Sequence, residues 1–588
     1  MSDVETSARA WMAAAADADP ETQAELAALL AAGTPAAAAE LAERFAAPME
    51  FGTAGLRGLI GAGPARMNQV TVMQAAAAVA RQILEDVPDA AARGVVIGRD
   101  ARRGSDLFAR VTAEVITGHG VRVHWIAAPA PTPVAAFLGK HLGAAAVCIV
   151  TASHNPPESN GFKVYGPSAS QIVPPQDTRI RAHRDQIAAA GRLDDVPRVS
   201  FTEAVQRGLV THVTRKDLCA FEQAIDAQCL GPVPPPAQVI AVTTALHGVG
   251  HVWVMDALTR RGHRRVYSVL SQAVPDGRFP TVRFPNPEEK GALDLAMTLA
   301  KQRGADLVLA NDPDTDRLCV AVRSPRETRV LSGNEVGLLL ADWVLSEGPR
   351  RAAAWPKKPL VACSLVSTMM LEPLAEAHGA TYGEVLTGFK WIWDLALEEA
   401  AKPDGATFVF GFEEALGYCV GPAVRDKDGI GAAEAVMELA AHEKAAGRTL
   451  FDRLDGIARR IGCSHTDQLT VVLPGLDGMA RMARIMASWR QAPVTAIAGV
   501  AVVRSRDLAG PDAETAGLPR GDVLTWWLAD GSRVIARPSG TEPKLKIYIE
   551  ARAEVAVEAN PLDAARGRAK TRVAAAKAAL AEWVNAVS

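Results

Sequence analysis

The chain has 588 residues, 49% hydrophobic and 22% charged, with a formal net charge of −3 and 5% aromatic residues. That length holds about four domains of ordinary size, and the composition is that of a folded globular protein rather than a disordered chain. Near-neutral charge and sparse aromatics exclude a basic, base-stacking face and set nucleic acid aside as a partner. The seven cysteines are scattered without a CxxC pair, as in a reducing compartment rather than a disulfide framework. The N-terminus lacks the basic segment of a secretory signal. The most apolar window, residues 142–152, is too short to cross a bilayer. The expectation is a soluble, cytoplasmic protein with no membrane partner.

In chain order, the first fifty residues read as helix. Asp19-Pro20-Glu21 supplies an N-cap, a proline at the first helical position and early acid, and Gly33 offers a stop. Thr34-Pro35 starts a second helix through Glu40, Leu41 and Phe45. After Phe51 short β-branched runs alternate with amphipathic segments. Strands are expected at 95–98, followed by a basic loop at 99–103, then at 121–126 and at 146–150, the last apolar throughout as a strand buried on both faces is. The β-loop-α rhythm recurs at 239–248, 307–316 and 360–367, which suggests repeated α/β units. The last segment alternates more cleanly at 534–536 and 546–550 and ends in a long Ala/Arg/Lys helix. Four domains follow: α/β units over 1–212, 213–333 and 334–460, and a smaller α+β domain over 461–588.

Four loops carry chemistry. The first is Asp312-Pro313-Asp314-Thr315-Asp316-Arg317, directly after the apolar run 307–310. At an effective dielectric near 20, two carboxylates about 6 Å apart repel by roughly 2–3 kcal/mol, so three at the end of a buried strand call for a cation. The alternative is an acidic turn. An EF-hand is rejected, because position six is Arg317 rather than glycine and position twelve is Arg323 rather than glutamate. The second loop, 151–157, sets Ser153 after the C-terminal end of a buried strand, where active crevices form. It is not a G-x-S-x-G elbow. Ten residues on lies Lys163, whose default reading is an exposed strand-edge lysine. The third loop, 537–543, combines arginine with Ser, Gly and Thr, which can cradle phosphate or simply form a turn. The fourth, 411–418, has adjacent Glu413 and Glu414, able to accept from sugar hydroxyls or to cap a helix. No Walker sequence is present.

Together, TASHNPPESNGFKVY (151–165), DPDTDR (312–317), GFEEALGY (411–418) and RPSGTEPK (537–544) resemble the α-D-phosphohexomutase family in order and spacing. FGTAGLRG (51–58), HGVG (247–250), FPNPEEKG (284–291) and TGFKW (387–391) resemble its phosphoglucomutase/phosphopentomutase branch. The resemblance implies a four-domain, heart-shaped α/β architecture around a central cleft, with one loop from each domain. It implies transfer of a phosphoryl group between O1 and O6 (or O5) of a sugar through phosphorylated Ser153. Asp312, Asp314 and Asp316 would bind Mg²⁺, with the phosphoserine as the remaining ligand. Arg57, His154 and Lys163 would surround the reacting oxygens, Lys163 being the leading proton-transfer group. Thr387, Gly388, Lys390 and Glu413 would hold sugar hydroxyls, and Lys427 and Arg317 would face the substrate. Arg537, Ser539, Gly540 and Thr541 would clamp the phosphate that is not transferred. Where the family often has serine, this chain has Ala415, one hydroxyl fewer. The implied substrate is glucose 1-phosphate, converted to glucose 6-phosphate through glucose 1,6-bisphosphate. Ribose, deoxyribose or mannose phosphates are alternatives. Rivals of another kind are a phosphatase or mutase with Asp312 as nucleophile and a non-catalytic sugar-phosphate sensor.

Overall fold

The computed structural model describes residues 3–15, 19–50, 55–190, 195–229, 239–324, 328–347, 355, 357–473, 477–539, 544–555 and 561–587. Two compact units make up the chain, residues 1–331 with 416–445 and residues 332–415 with 446–588.

The first unit opens on three helices, Asp3–Ala14, Pro20–Ala32 and Pro35–Phe45. Their punctuation is as read from the sequence. The Asp19 carboxylate accepts the Thr22 N–H and Gly33 closes the helix in the left-handed region, while the Thr34 hydroxyl accepts from the Ala37 N–H. Two sheets follow. One has the order Leu56–Leu59, Ser159–Tyr165, Ala146–Val150, Val95–Arg99, Val123–Trp125, Val210–His212. Its last four strands are parallel, and Ser159–Tyr165 runs antiparallel to both neighbours. The strand expected over 121–126 is shorter, because only Val123, His124 and Trp125 find partners, opposite Val95, Val96 and Ile97. Ala146–Val150 is buried throughout, as its unbroken apolar run requires.

The second sheet has the order Thr328–Val330, Cys319–Arg323, Leu307–Ala310, Ala241–Thr244, Val266–Ser268. Its last three strands are parallel, and the hairpin after Leu307–Ala310 is antiparallel. The acidic loop is therefore the turn of a hairpin, not a loop between the two helices of an EF-hand. The helix Gly429–Ala445 completes this unit by packing on the helix His251–Arg260.

In the second unit, Thr381–Val385, Pro359–Ser364 and Thr407–Glu413 run parallel. The remaining sheet is antiparallel, in the order Cys463–Val472, Lys544–Ala553, Arg533–Pro538, Leu524–Leu528, Val500–Asp507, Ala496–Ile497. The helix Pro561–Val587 covers it, burying Ala565, Ala569, Val573, Ala576, Leu580 and Val584 at helical spacing. Three α/β domains and a C-terminal antiparallel domain are thus present. All seven cysteines are free, and among the described residues no helix is long and apolar enough to cross a membrane.

Candidate active site

Two strands of the first unit, Ala146–Val150 in one sheet and Leu307–Ala310 in the other, deliver their following loops to one place. The Ser153 hydroxyl donates to Asp312 Oδ2 at 3.0 Å and lies 3.2 Å from His154 Nδ1. Ser153 is 2% exposed and its φ is 53°, a left-handed conformation that is strained for a residue with a Cβ. The acidic turn is held by backbone as well. The Thr132 N–H donates to the Asp314 carbonyl and the Val249 N–H to that of Pro313, both at 2.9 Å. The approach explains the HGVG segment. A Cβ on Gly248 would stand 2.3 Å from Pro313 Cα, and one on Gly250 2.5 Å from Thr315 Oγ1.

Lys163 is not the exposed edge lysine that its sequence suggests. Its strand lies between Leu56–Leu59 and Ala146–Val150 and is buried at every position. The Lys163 ammonium donates to Asp314 Oδ2 at 2.7 Å and Asp316 Oδ2 at 2.9 Å. Burial alone would lower its pKa, but these two carboxylates outweigh burial and raise it. Burial also pushes the three carboxyls up. In Asp312 burial, with the Asp314 and Asp316 charges, wins and holds the carboxyl well above the ordinary range. In Asp314 and Asp316 burial is outweighed by Lys163, joined at Asp316 by Lys427 and Arg317, and both are held below it.

The donor set fits a metal ion. The three aspartates are buried and offer ligand oxygens within 4.8 Å of one another. Asp314 Oδ1 and Asp316 Oδ1 are buried with no hydrogen-bond partner among the described residues. Orphaned, closely set carboxylate oxygens suit a hard divalent cation.

Further groups converge on this cluster. Lys427 Nζ lies 3.3 Å from Asp316 Oδ2 and 3.4 Å from Asp426 Oδ1. Asp426 in turn accepts from Tyr165 Oη at 2.5 Å and Gln171 Nε2 at 3.0 Å. The Arg317 guanidinium sits 4.0 Å from Asp312, 3.9 Å from Asp316 and 3.8 Å from Glu288 of the FPNPEEKG segment. Arg57 donates to the Asn155 side chain at 3.3 Å. Burial, with the nearby Arg317 and Arg57 charges, holds the His154 imidazole well below its usual pKa. Residues 51–54, the start of FGTAGLRG, lie outside the described residues.

In the second unit the two expected sugar loops meet. The Gly388 N–H donates to Glu413 Oε1 at 2.7 Å, with Gly388 at φ 119°, where glycine is favoured. The Thr387 hydroxyl is buried without a partner among the described residues. The Lys390 ammonium lies 5.2 Å from the Trp391 ring centroid. The two adjacent glutamates are not equivalent. Glu414 Oε2 accepts from Ser364 and Ser367 Oγ, both at 3.2 Å, so its carboxylate is engaged by protein hydroxyls. Arg537 is the last residue but one of the strand Arg533–Pro538, and its charge acts on the Tyr548 phenol. Burial, followed by the Glu414 charge, pushes the Tyr548 phenol up. The Ser539 N–H donates to the Lys544 carbonyl at 2.8 Å. Gly540 and Thr541 lie outside the described residues.

Sequence reading missed two sets of residues. Asp100 and Arg102 lie in what reads only as a basic loop, yet they are buried and bonded to the serine loop. Tyr165 and Asp426 meet across 261 positions, with no local signal for the pairing.

Comparison with known proteins agrees with the geometry. Residues 48–190, 235–325 and 332–459 match the phosphoglucomutase/phosphomannomutase alpha/beta/alpha domains I, II and III, and residues 490–565 match the C-terminal domain of that family. The chain is 39% identical over 508 residues to a "Probable phosphomannomutase" of Haemophilus influenzae, covering 85% of this chain and 95% of that protein. It is 35% identical over 539 residues to the phosphopentomutase of Mus musculus (87% and 85% covered). It is 31% identical over 510 residues to a phosphoglucomutase of Staphylococcus epidermidis (85% and 90% covered). A phosphoglucomutase/phosphomannomutase family protein of Burkholderia thailandensis shares the fold, with a TM-score of 0.64 at 18% identity over 90% of this chain and 96% of that one. The chain belongs to the phosphoglucomutase/phosphomannomutase (α-D-phosphohexomutase) superfamily and is a phospho-sugar mutase, an intramolecular phosphotransferase acting on phosphorylated sugars.

Proposed function

We propose that the chain interconverts glucose 1-phosphate and glucose 6-phosphate, with Ser153 as the phosphorylated residue and glucose 1,6-bisphosphate as the intermediate. One observation carries the reading. A buried serine hydroxyl in a strained loop stands 3.0 Å from an aspartate of a buried three-carboxylate cluster. The free sugar hydroxyl attacks the phosphorus of phosphoserine 153. The P–Oγ bond breaks as the new P–O bond to the sugar forms, and the proton lost by the sugar hydroxyl is matched by one gained by the departing Ser153 Oγ. Lys163, an ammonium held by Asp314 and Asp316, is the leading group for that transfer, giving its proton to Oγ and regaining one from the hydroxyl. The bisphosphate turns end for end, the other phosphate returns to Ser153 Oγ, and the isomeric monophosphate leaves.

Asp312, Asp314 and Asp316 hold Mg²⁺ in this reading, which when bound neutralises the phosphoserine charge and polarises the transferring group. Arg57, His154, Lys427 and Arg317 line the reacting phosphate. Thr387, Gly388, Lys390 and Glu413 take the sugar hydroxyls. Arg537 and Ser539, with Gly540 and Thr541, hold the phosphate that is not being transferred.

A pentose 1-phosphate is the second reading. It is favoured by the likeness to phosphopentomutases and by Ala415, which offers no hydroxyl to the sugar. The test is mutase turnover of Ser153→Ala, followed by kcat/KM of the native protein for glucose, ribose, deoxyribose and mannose 1-phosphates. Turnover is expected to fall at least about 10³-fold in the variant, with glucose 1-phosphate preferred at least about tenfold. Near-normal turnover of Ser153→Ala sinks the phosphoserine mechanism, and a higher kcat/KM for ribose 1-phosphate replaces the sugar. An acid-stable phosphoenzyme separates phosphoserine from an acylphosphate on Asp312.

A further inference from the structure

We infer that Arg102, held by Asp100 and Thr151, is the positioning residue of the Ser153 loop, fixing the backbone that aims the serine Oγ. The inference rests on the reading of Ser153 as the phosphorylated residue. The Arg102 guanidinium donates to four carbonyls, three within that loop and the fourth at Ser159, where the next strand begins. Nη2 bonds those of Ser153 and Asn155, the latter at 2.7 Å, and Nη1 bonds those of Pro156 at 2.9 Å and Ser159 at 3.3 Å. The four Nη–H groups of a planar fork can meet four carbonyls at once, one more than the three donors of an ammonium can reach.

A buried cation needs a counter-charge. Asp100 supplies it, with Oδ2 at 3.1 Å from Arg102 Nε, and the two side chains are 2% and 1% exposed. Asp100 Oδ2 also accepts from Thr151 Oγ1 at 2.7 Å, and Oδ1 from Ser105 Oγ at 2.7 Å and the Arg102 N–H at 3.0 Å. Thr151 Oγ1 then accepts the Ser153 N–H at 2.9 Å. Both peptide planes that flank Ser153 are therefore pinned, one through its N–H and the other through its carbonyl. That is what a residue held at φ 53° needs. Fixing both planes fixes the direction of Cβ and hence the reach of Oγ toward Asp312. The clamp is closed from the second sheet's side. The Phe279 ring centroid lies 5.0 Å from the guanidinium carbon, and a Cβ on Gly277 would stand 2.7 Å from Arg102 Cα.

The experiment compares Arg102→Lys, Arg102→Gln, Thr151→Val and Ser153→Ala in the full chain. It measures kcat and KM for glucose 1-phosphate, the rate of Ser153 phosphorylation by glucose 1,6-bisphosphate, and Tm. Arg102→Lys keeps the charge but not the fork. Both Arg102 variants are expected to lose about 10²-fold in kcat, the cost of a misplacement near 1 Å, with KM within threefold and phosphorylation slowed by the same factor. Thr151→Val keeps the shape and is expected to lose about tenfold in kcat. Wild-type kcat in Arg102→Lys, or a loss accounted for by the unfolded fraction alone, overturns the inference. If the Arg102 variants do not fold, unchanged kcat in Thr151→Val overturns it. Retained turnover in Ser153→Ala overturns the phosphoserine reading itself. An inactive Ser153→Ala beside a fully active Arg102→Lys overturns only the clamp.

Discussion

The serine and acid loops of the first unit differ from the sugar loops of the second in how their groups are held. Ser153, Lys163, Asp312, Asp314 and Asp316 are each at most 2% exposed, and each has charged or hydrogen-bonding partners within the protein. In the second region Thr387, Gly388, Arg537 and Ser539 are only half-buried, while Lys390 and Glu413 are buried, at 6% and 9% exposed. A sealed cluster of charges is arranged before any ligand arrives, which is what electrostatic stabilisation of phosphoryl transfer requires. Half-buried loops leave surface for a ligand to cover. The contrast predicts that substitutions in the first region act on kcat and substitutions in the second on KM.

The largest effect belongs to the cation site. Asp314→Asn removes one negative charge from the set and loosens Lys163 and Thr132, which both donate to Asp314 Oδ2 at 2.7 Å. Turnover is expected to fall about 10³-fold, as the loss of several kcal/mol of charge stabilisation implies. Mg²⁺ binding by calorimetry should weaken in parallel. Chelation of the native protein should abolish turnover, and added Mg²⁺ should restore it. Full activity in chelator would break the comparison at its root.

Next comes a test within the second region. Glu413→Gln is expected to lower kcat/KM by about 10- to 100-fold, mostly through KM, because a hydrogen bond to a charged acceptor is worth about 1.5–3 kcal/mol. Glu414→Gln, whose carboxylate is engaged by Ser364 and Ser367, should lower Tm and leave KM within about threefold. If Glu414→Gln raises KM and Glu413→Gln does not, the assignment of the two acids reverses.

Smaller still is Tyr165→Phe. It removes one donor from Asp426, the carboxylate beside Lys427. One neutral-to-charged hydrogen bond among several is expected to cost about fivefold in kcat, with KM unchanged. An effect on KM alone would move Lys427 into the second class of groups.

The two regions were also unequally legible in the sequence. The acidic loop is local, since an apolar run followed by three spaced carboxylates announces both the strand Leu307–Ala310 and the need for a cation. Helix punctuation at Asp19, Gly33 and Thr34 is local in the same way. Lys163 was not legible, because its burial depends on Leu56–Leu59 arriving from far earlier in the chain to cover its strand. The Arg102 clamp was hidden for the same reason, its four acceptors lying 51 to 57 positions away. Nor does adjacency distinguish Glu413 from Glu414. The fold does so by giving them different partners, the SLVS turn 47 to 50 positions earlier for Glu414 and the Gly388 N–H for Glu413.

Glu434 gives the smallest expected effect and a control for the rest, since it is a buried acid of the first unit outside the serine and metal loops. Burial pushes its carboxyl up to about 8, with Asp226 adding to the rise, while the Cys229 thiol at 3.1 Å and Arg260 at 3.7 Å oppose it. The folded protein therefore holds a proton that the unfolded chain, with an ordinary value of 4.5, has lost. Between those two values the native state binds more protons, so stability falls as pH rises from about 4.5 through about 8 and is level above. Glu434→Gln removes that proton and that slope. Tm of the variant should exceed the wild type by a few degrees at pH 8.5 and converge with it at pH 5, while kcat stays unchanged. A wild-type slope in the variant would mean that Arg260 already holds Glu434 ionised, as Lys163 holds Asp316. Burial that outweighs the nearby cation would then no longer separate this acid from Asp314 and Asp316 of the metal loop.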